Sequence, residues 1–112
     1  MSYVEGSNNN QRRDVRVSSE LPATISVGSQ LTLKGQLKDL SLKSAFIRIK
    51  NNVYFQLNDE VGFAIQESED ETRIIIEGVA RISRIALGEG LAIYFTKMED
   101  ASVKRLKELV KE

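Results

Sequence analysis

Apolar and polar residues alternate with period two along most of this chain, a pattern typical of β-strands that bury one face. The first two predicted strands cover about 21–27 and 31–37, and Val27-Gly28-Ser29-Gln30 between them is typical of a hairpin turn. Further strands are predicted over 45–50, 60–66, 72–85 and 91–97. The pattern therefore predicts six antiparallel strands.

The longer strands predict how the sheet is shaped. In the strand over 60–66, the side chains of Val61, Phe63 and Ile65 are expected to face the core. Gly78 would weaken the strand over 72–85 unless it marks a bend or bulge, which is how a long strand curves around a small barrel. Leu87-Gly88-Glu89-Gly90 is the predicted turn before the last strand. We therefore expect the sheet to close into a barrel.

The hydrophobic period changes after the last predicted strand. An apolar stripe at helical spacing follows, made of Val103, Leu106, Leu109 and Val110. Asp100 or Thr96 is the expected N-cap of this helix. The predicted fold is mainly all-β, a six-stranded antiparallel barrel with a C-terminal α-helix, in a single domain over 11–112.

The N-terminal residues have a different composition. Residues 1–10 are polar and include three consecutive asparagines, so they cannot bury enough apolar surface to offset the entropy of an ordered chain. We predict a disordered, flexible arm. Arg12, Arg13 and Arg16 follow and form a basic hinge between this arm and the barrel.

Composition excludes several classes of function. The 112-residue chain has no cysteine and no histidine, which removes thiolate nucleophiles, imidazole bases and the usual zinc ligands. We therefore expect no catalytic residue, no metal site, no cofactor and no enzymatic activity. The N-terminus has no apolar signal region and no run approaches the roughly 18 apolar residues of a membrane span. A cytoplasmic location without membrane insertion is the expectation.

Charge is balanced overall but uneven along the chain. Residues 1–50 carry eight bases against four acids, and residues 51–112 carry eight against twelve. A total of zero argues against binding DNA or RNA through many phosphate contacts, and the low aromatic content of 6% argues against a base-stacking platform. The basic first half could still hold one small anion.

Two short motifs carry the candidate chemistry. The first is Arg12-Arg13-Asp14-Val15-Arg16, an R-x-x-x-R pattern. The second is Asp39-Leu40-Ser41-Leu42-Lys43-Ser44, where one predicted strand ends and the next begins. In this order they resemble the R-x-x-x-R and D/N-x-S-x-x-G motifs of the PilZ family, and 78–82 and 88–95 are also similar to segments of that family. The resemblance covers about 11–110.

The resemblance implies a receptor for cyclic di-GMP, with Arg12, Arg13, Arg16, Asp39, Ser41 and Ser44 as the binding residues. An arginine fork matches the O6 and N7 acceptors of guanine, and arginine also pairs with phosphate. A carboxylate such as that of Asp39 accepts from guanine N1–H and N2–H₂, while Ser41 is expected to donate to a phosphate or to orient the loop. Binding would reorder the N-terminal segment and signal to an unidentified protein partner in motility, adhesion or polysaccharide control.

Plainer interpretations exist for each of these residues. The arginines alone would be typical of a solvated basic patch, and Asp39 and Ser41 of turn residues that bond local backbone. Ser44 stands where the family has glycine. If that backbone needs a positive φ, serine is strained and affinity falls, whereas in ordinary backbone its hydroxyl could add a ligand contact. The alternative function is therefore a degenerate adaptor of the same fold that does not bind the nucleotide.

Two more arginines were considered for the rim of this site. Arg81 and Arg84 lie on the long predicted strand and alternate poorly with its core positions. Exposed strand arginines are ordinary, so the sequence gives no reason to include them.

Overall fold

The computed structural model describes residues 17–18, 20–28, 31–68 and 73–110. The predicted arm over 1–10, the three arginines Arg12, Arg13 and Arg16, and two residues of the first predicted turn, Ser29 and Gln30, lie outside the described residues.

Strands and one helix account for most of the described chain. In chain order they are β1 (Val17–Ser18), β2 (Pro22–Val27), β3 (Leu31–Leu40), β4 (Ser44–Arg48), β5 (Glu60–Gln66), β6 (Ile74–Ala86), β7 (Gly90–Met98) and α1 (Asp100–Leu109). The six predicted strands are confirmed as β2 to β7. The second of them continues three residues further than predicted, to Leu40.

The strands form a closed antiparallel barrel. Neighbours around it are β3, β2, β5, β6, β7 and β4, and β4 pairs with β3 to close the ring. The predicted six-stranded barrel with a C-terminal helix is thus confirmed. The sequence did not predict β1, which pairs with the end of β3 beyond the part that β2 occupies.

The barrel interior holds the apolar residues of the alternating pattern. Val61, Phe63 and Ile65 of β5 are all buried, as predicted. The rings of Phe63 and Phe95 stack with centroids 4.9 Å apart. Val27 is 36% exposed, because the strand leaves the barrel wall there to enter the turn at Gly28.

Two glycines have different roles. The register shift next to Gly78, between Val79 and Ala80, has its extra residue, Thr96, in β7, whereas the extra residues of the long strand are Ile75 and Ser83. Gly78 therefore does not mark a bulge of its own strand; a Cβ there would overlap the carbonyl oxygen of Lys97. The turn after β6 covers Leu87 to Glu89, with Gly88 at φ +77°. Gly90 was predicted to belong to this turn but begins β7. A Cβ at Gly90 would overlap the carbonyl oxygen of Ile47 and lie 2.7 Å from Cε2 of Phe46.

A buried asparagine fixes this turn against the loop between β4 and β5. Asn52 has no exposed surface. Its Nδ2 donates to the carbonyl oxygens of Ala86 and Gly90, both at 2.9 Å, and its Oδ1 accepts from the N–H of Gly88 at 3.2 Å. Because three backbone groups on both sides of the turn share one side chain, the start of β7 is held in a defined place.

Helix α1 begins without the predicted cap. Its N-cap is Glu99, which makes no side-chain capping bond, so the prediction of Asp100 or Thr96 was wrong. Asp100 is instead in the first turn, where its charge suits the helix dipole. The Oγ1 of Thr96 donates to the carbonyl oxygen of Val79 at 3.1 Å.

The helix packs on the barrel through a stripe that differs in part from the predicted one. Ser102, Leu106 and Val110 are buried, whereas Leu109 is 36% exposed. The Oγ of Ser102 accepts from the N–H of Glu77 in β6 at 3.1 Å. A small polar residue is used there because the helix lies close enough to the strand to bond its backbone. Over the described ranges, no helix is long and apolar enough to cross a membrane.

Candidate functional site

The second motif forms the connection between β3 and β4. Leu40 pairs with Ala45, and the N–H of Ser41 donates to the carbonyl oxygen of Ser44 at 2.8 Å. The carbonyl oxygen of Lys43 accepts from the N–H of Phe95 in β7 at 2.8 Å. We call residues 39–44 the acidic-hydroxyl corner. Since it is bonded to three strands, its backbone is fixed by the barrel.

Ser41 organises this corner from inside. Its side chain is buried, at 2% relative exposure. Its Oγ accepts from the N–H groups of Lys43 at 3.3 Å and Ser44 at 3.2 Å, and lies 3.2 Å from the Oγ of Ser44. Of the two roles considered for Ser41, these contacts favour orienting the loop over direct contact with a phosphate.

Ser44 occupies ordinary backbone. It is the first residue of β4 and pairs with Tyr94. In the described part of the chain, Asn58 is the only residue other than glycine with a positive φ. The strain considered for serine at this position is therefore not present, and its hydroxyl faces that of Ser41.

Strand β1 brings the segment after the arginines to the same corner. Val17 pairs with Leu40, and Ser18 pairs with Asp39. Arg16 lies outside the described residues, but it is bonded to Val17, and consecutive Cα atoms are about 3.8 Å apart. The chain that carries the first motif therefore enters the barrel beside the second motif.

A groove runs across the outer face of the barrel from this corner. Asp39 pairs with Phe46, Phe46 with Ala92, and Ala92 with Arg84, so four side chains form one row across β3, β4, β7 and β6. Alternation places the row outside, because the neighbours Leu40, Ala45 and Ile93 are core residues. The groove encloses about 460 Å³ and Ser83 also lines it. We call it the Asp39–Arg84 groove.

Phe46 forms the floor of the groove. Although its side chain is on the outer face, it is only 8% exposed. The ring packs against the backbone of Gly90, the Cζ of Arg84 lies 5.3 Å from its centroid, and the Nζ of Lys38 lies 5.5 Å from it. Both cations are within the range of a cation–π interaction. Lys38 is the extra residue of a register shift between Leu37 and Asp39, which turns it toward the groove.

Arg84 differs from most arginines on this barrel. Among the arginines of the described ranges, Arg73, Arg81 and Arg105 form ion pairs with glutamates, whereas Arg84 and Arg48 form none. Arg81 also donates to the carbonyl oxygen of Asn58 at 2.8 Å. The guanidinium of Arg84 lies over the Phe46 ring and has no acidic partner among the described residues, so we expect its donors to be available to a ligand.

A larger hollow lies elsewhere on the outer face. It encloses about 700 Å³ and lies above Gly62 and Ala64, whose small side chains leave the space. Its charged residues are Glu77, Glu99 and Lys97. We call it the Gly62 hollow. With two acids and one cation, it is poorly suited to a phosphate. Over the described residues, no group of three potential metal ligands converges.

Comparison with known families identifies the fold. The sequence profile described as PilZ domain matches residues 10–112. The chain belongs to the PilZ domain family. The family resemblance of the two motifs is thereby confirmed, and the match includes both of them.

Solved PilZ structures share the fold of this PilZ domain. The Bacillus subtilis inhibitor of motility (MotI/DgrA) aligns with a TM-score of 0.74 and 16% identity over 93% of this chain and 51% of that protein. The PilZ domain of CeSA from a cellulose-synthesising bacterium aligns with a TM-score of 0.62 and 18% identity, over 85% of this chain and 93% of that one. At these identities the likeness concerns the fold.

A third solved structure contains a nucleotide. The PilZ domain of YcgR from Escherichia coli, solved with c-di-GMP, aligns with a TM-score of 0.63 and 14% identity, over 89% of this chain and 88% of that one. The chain spans about half the length of the motility inhibitor. Among curated proteins, none matches the sequence significantly.

The fold brings together only part of the predicted site. Asp39, Ser41 and Ser44 share one corner, and Arg12, Arg13 and Arg16 lie outside the described residues. Two groove residues, Phe46 and Arg84, were not predicted. Arg84 is separated from Asp39 by three strand-to-strand steps that sequence spacing does not reveal. A signal was present in the position of Phe46, an aromatic side chain between two core residues of one strand.

Proposed function

We propose that this PilZ domain is a cytoplasmic receptor for cyclic di-GMP rather than an enzyme. The nucleotide binds between the arginine segment and the acidic-hydroxyl corner. Binding then reorders the N-terminal segment, and a partner protein that controls motility, adhesion or polysaccharide synthesis responds.

The observation that carries this proposal is the pairing of β1 with β3. Ser18 lies opposite Asp39, and Val17 opposite Leu40. Arg16 directly precedes Val17 in the sequence, so the first motif joins the described chain at the strand that pairs with Asp39. A ligand of the size of a dinucleotide can contact both.

The chemistry of the two motifs suits the two kinds of group in the ligand. Arginine forks can donate to guanine O6 and N7 and to phosphate oxygens, and the Asp39 carboxylate can accept from N1–H and N2–H₂. Ser41 orients the backbone of the acidic-hydroxyl corner, and the hydroxyl of Ser44 lies beside that of Ser41. Arg12, Arg13 and Arg16 would supply most of the charge that neutralises the two phosphates.

The way the arginine segment is joined to the barrel accounts for the proposed signal. The core residues of the barrel are the alternating apolar positions, which pack without any ligand. The arginine segment enters the barrel through β1, whose two residues make only a short ladder with β3. Ligand contacts at the arginine segment would therefore act next to the shortest of the described strands, which makes the position of that strand sensitive to binding.

The adaptor alternative has lost the observation that motivated it. It was based on Ser44 at the glycine position of the family motif. The backbone at Ser44 is that of a strand without a positive φ, so serine carries no conformational cost there. Loss of binding would need another cause.

Calorimetric titration of the full chain with cyclic di-GMP tests the proposal. We expect a saturable signal, and a matched titration with GMP, which has one base and one phosphate, is expected to give much weaker binding. The absence of heat at high-micromolar cyclic di-GMP would overturn the receptor function and support the adaptor.

The position of the N-terminal segment tests the output separately. A fluorophore attached at a cysteine in place of Ser18 is expected to change its emission when cyclic di-GMP is added, because Ser18 lies opposite Asp39. The same label at Leu109 on α1 is the control and should not respond. Binding without a response at Ser18 would contradict the proposed reordering.

A further inference from the structure

The Asp39–Arg84 groove has hydrogen-bond acceptors on one side and hydrogen-bond donors on the other. On one side a carboxylate offers acceptors, and on the other a guanidinium offers donors without any ion pair in the described ranges. Guanine has the matching arrangement, with N1–H and N2–H₂ on one edge and O6 and N7 acceptors on another. The groove thus has the complementarity of a single base and not only of a phosphate.

The dimensions of the groove agree with this complementarity. Three strand-to-strand steps of about 4.8 Å separate Asp39 from Arg84, or about 14 Å measured along the curved wall of the barrel. The groove between them encloses about 460 Å³. Ala92 lies in the row between them and leaves the space open.

Phe46, the floor of the groove, restricts the guanidinium of Arg84 before a base binds. The guanidinium lies over the Phe46 ring, 5.3 Å from its centroid, and the ring is fixed against the backbone of Gly90. An arginine held by a ring loses less freedom when it binds than one that extends into solvent. Its planar group also offers a surface on which a base can stack.

We infer that Arg84, which lies outside both sequence motifs, is a guanine-binding residue: one base of the nucleotide occupies the Asp39–Arg84 groove, with its N1–N2 edge on Asp39 and its O6–N7 edge on Arg84. This inference rests on the proposed function. The arginine segment then serves the other base and the phosphates. The Asp39 carboxylate can accept hydrogen bonds from N1–H and N2–H₂ in addition to its local contacts, because a carboxylate offers about four acceptor positions.

The test compares two arginines on the same strand and two forms of the ligand. The full chain, Arg84→Ala, Arg84→Lys and Arg81→Ala are each titrated with cyclic di-GMP and with its 7-deaza analogue, in which carbon replaces the N7 acceptor. Arg81 is the matched control, because its guanidinium is held by Glu60 and Asn58. Circular dichroism monitors the fold of each variant.

We expect Arg84→Ala to weaken binding of cyclic di-GMP about tenfold, and Arg84→Lys nearly as much, because lysine lacks the fork. Arg81→Ala should stay within about twofold, since its surface ion pair contributes little. The 7-deaza analogue should bind the unmodified chain at least about fivefold more weakly than cyclic di-GMP. The 7-deaza penalty should be clearly smaller in Arg84→Ala than in the unmodified chain, because one of the two bases has already lost its N7 partner.

Each other outcome has a separate meaning. If the unmodified chain binds but Arg84→Ala binds equally well, the inference is wrong and the receptor function stands. If Arg84→Lys retains full affinity, or the 7-deaza penalty is as large in Arg84→Ala as in the unmodified chain, Arg84 does not contact N7 and the inference is again wrong. If the unmodified chain does not bind cyclic di-GMP, both the receptor function and the inference are overturned.

Discussion

Two concave surfaces on the same barrel differ in size and in chemistry, and the smaller one is the better candidate for a nucleotide. The Gly62 hollow encloses about 700 Å³ and the Asp39–Arg84 groove about 460 Å³. The hollow exists because Gly62 and Ala64 have little side chain, and its charged residues are two glutamates and one lysine. The groove adjoins the acidic-hydroxyl corner and contains Arg84, which has no acidic partner among the described residues. Size alone therefore favours the hollow, whereas charge favours the groove.

The two surfaces also differ in how their backbones are packed. A Cβ at Gly62 would lie 3.6 Å from the Cβ of Ser26, an ordinary contact. At Gly90, below the groove, a Cβ would overlap Ile47 and lie 2.7 Å from the ring of Phe46. The groove is thus built on a close approach that allows no side chain, whereas the hollow is simply unfilled.

This difference gives the largest expected effect. Gly90→Ala should lower the free energy of unfolding by about 1–3 kcal/mol, because the added methyl group must displace a strand carbonyl and the Phe46 ring. Gly62→Ala should leave it within about 0.5 kcal/mol, since the methyl group makes only ordinary contacts. Urea unfolding of both variants measures this. Equal destabilisation of the two would remove the distinction between the surfaces.

Loss of an arginine from the first motif comes next. Arg12→Ala and Arg16→Ala should each weaken binding of cyclic di-GMP tenfold or more, about 1.4 kcal/mol, without unfolding the barrel. Titration calorimetry gives the affinity, and thermal unfolding checks the fold. Arg105→Ala on α1, whose guanidinium pairs with Glu108, is a control with equal charge loss. Unchanged affinity in both motif variants would refute the assignment of these arginines.

A smaller effect is expected at the glycine position of the family motif. Ser44→Gly should change affinity by less than about threefold, or about 0.65 kcal/mol, because serine is unstrained there and its hydroxyl contacts Ser41 rather than open solvent. The same titration measures it. An increase of tenfold or more would mean that serine obstructs the ligand and that the departure from the family pattern is functional.

The smallest effect is expected in the hollow. Lys97→Ala removes the only cation among the residues that line the hollow. It should leave the affinity for cyclic di-GMP within about 1.5-fold, the size of a weak long-range charge effect screened by salt. A clear loss of binding in this variant would indicate that the larger surface, and not the groove, holds the nucleotide.

Much of the fold could be predicted because the information is local. The alternation at Val61, Phe63 and Ile65 set the inward face of β5. Errors arose where contacts with other elements decided the outcome. Gly90 was assigned to a turn because glycine is common there, but the constraint comes from Phe46 in another strand.

The helix shows the same division. Its existence follows from the apolar stripe, yet the sequence favoured Leu109 over Ser102 as a packing residue. Ser102 is buried because its hydroxyl meets the N–H of Glu77 in β6. Hydrophobicity alone cannot predict a polar residue at a contact whose backbone partner lies in a distant part of the chain.

The sequence by itself determined the period-two strands, the C-terminal helix and the two motifs that place the chain in the PilZ family. Only the tertiary structure decided that β1 lies beside Asp39 and that Arg84 faces it across Phe46 and Ala92. The reason is that strand alternation is set by neighbours along the chain, whereas the register of barrel closure is set by pairings between distant segments. Residues that share a surface row through such pairings have no fixed spacing in the sequence.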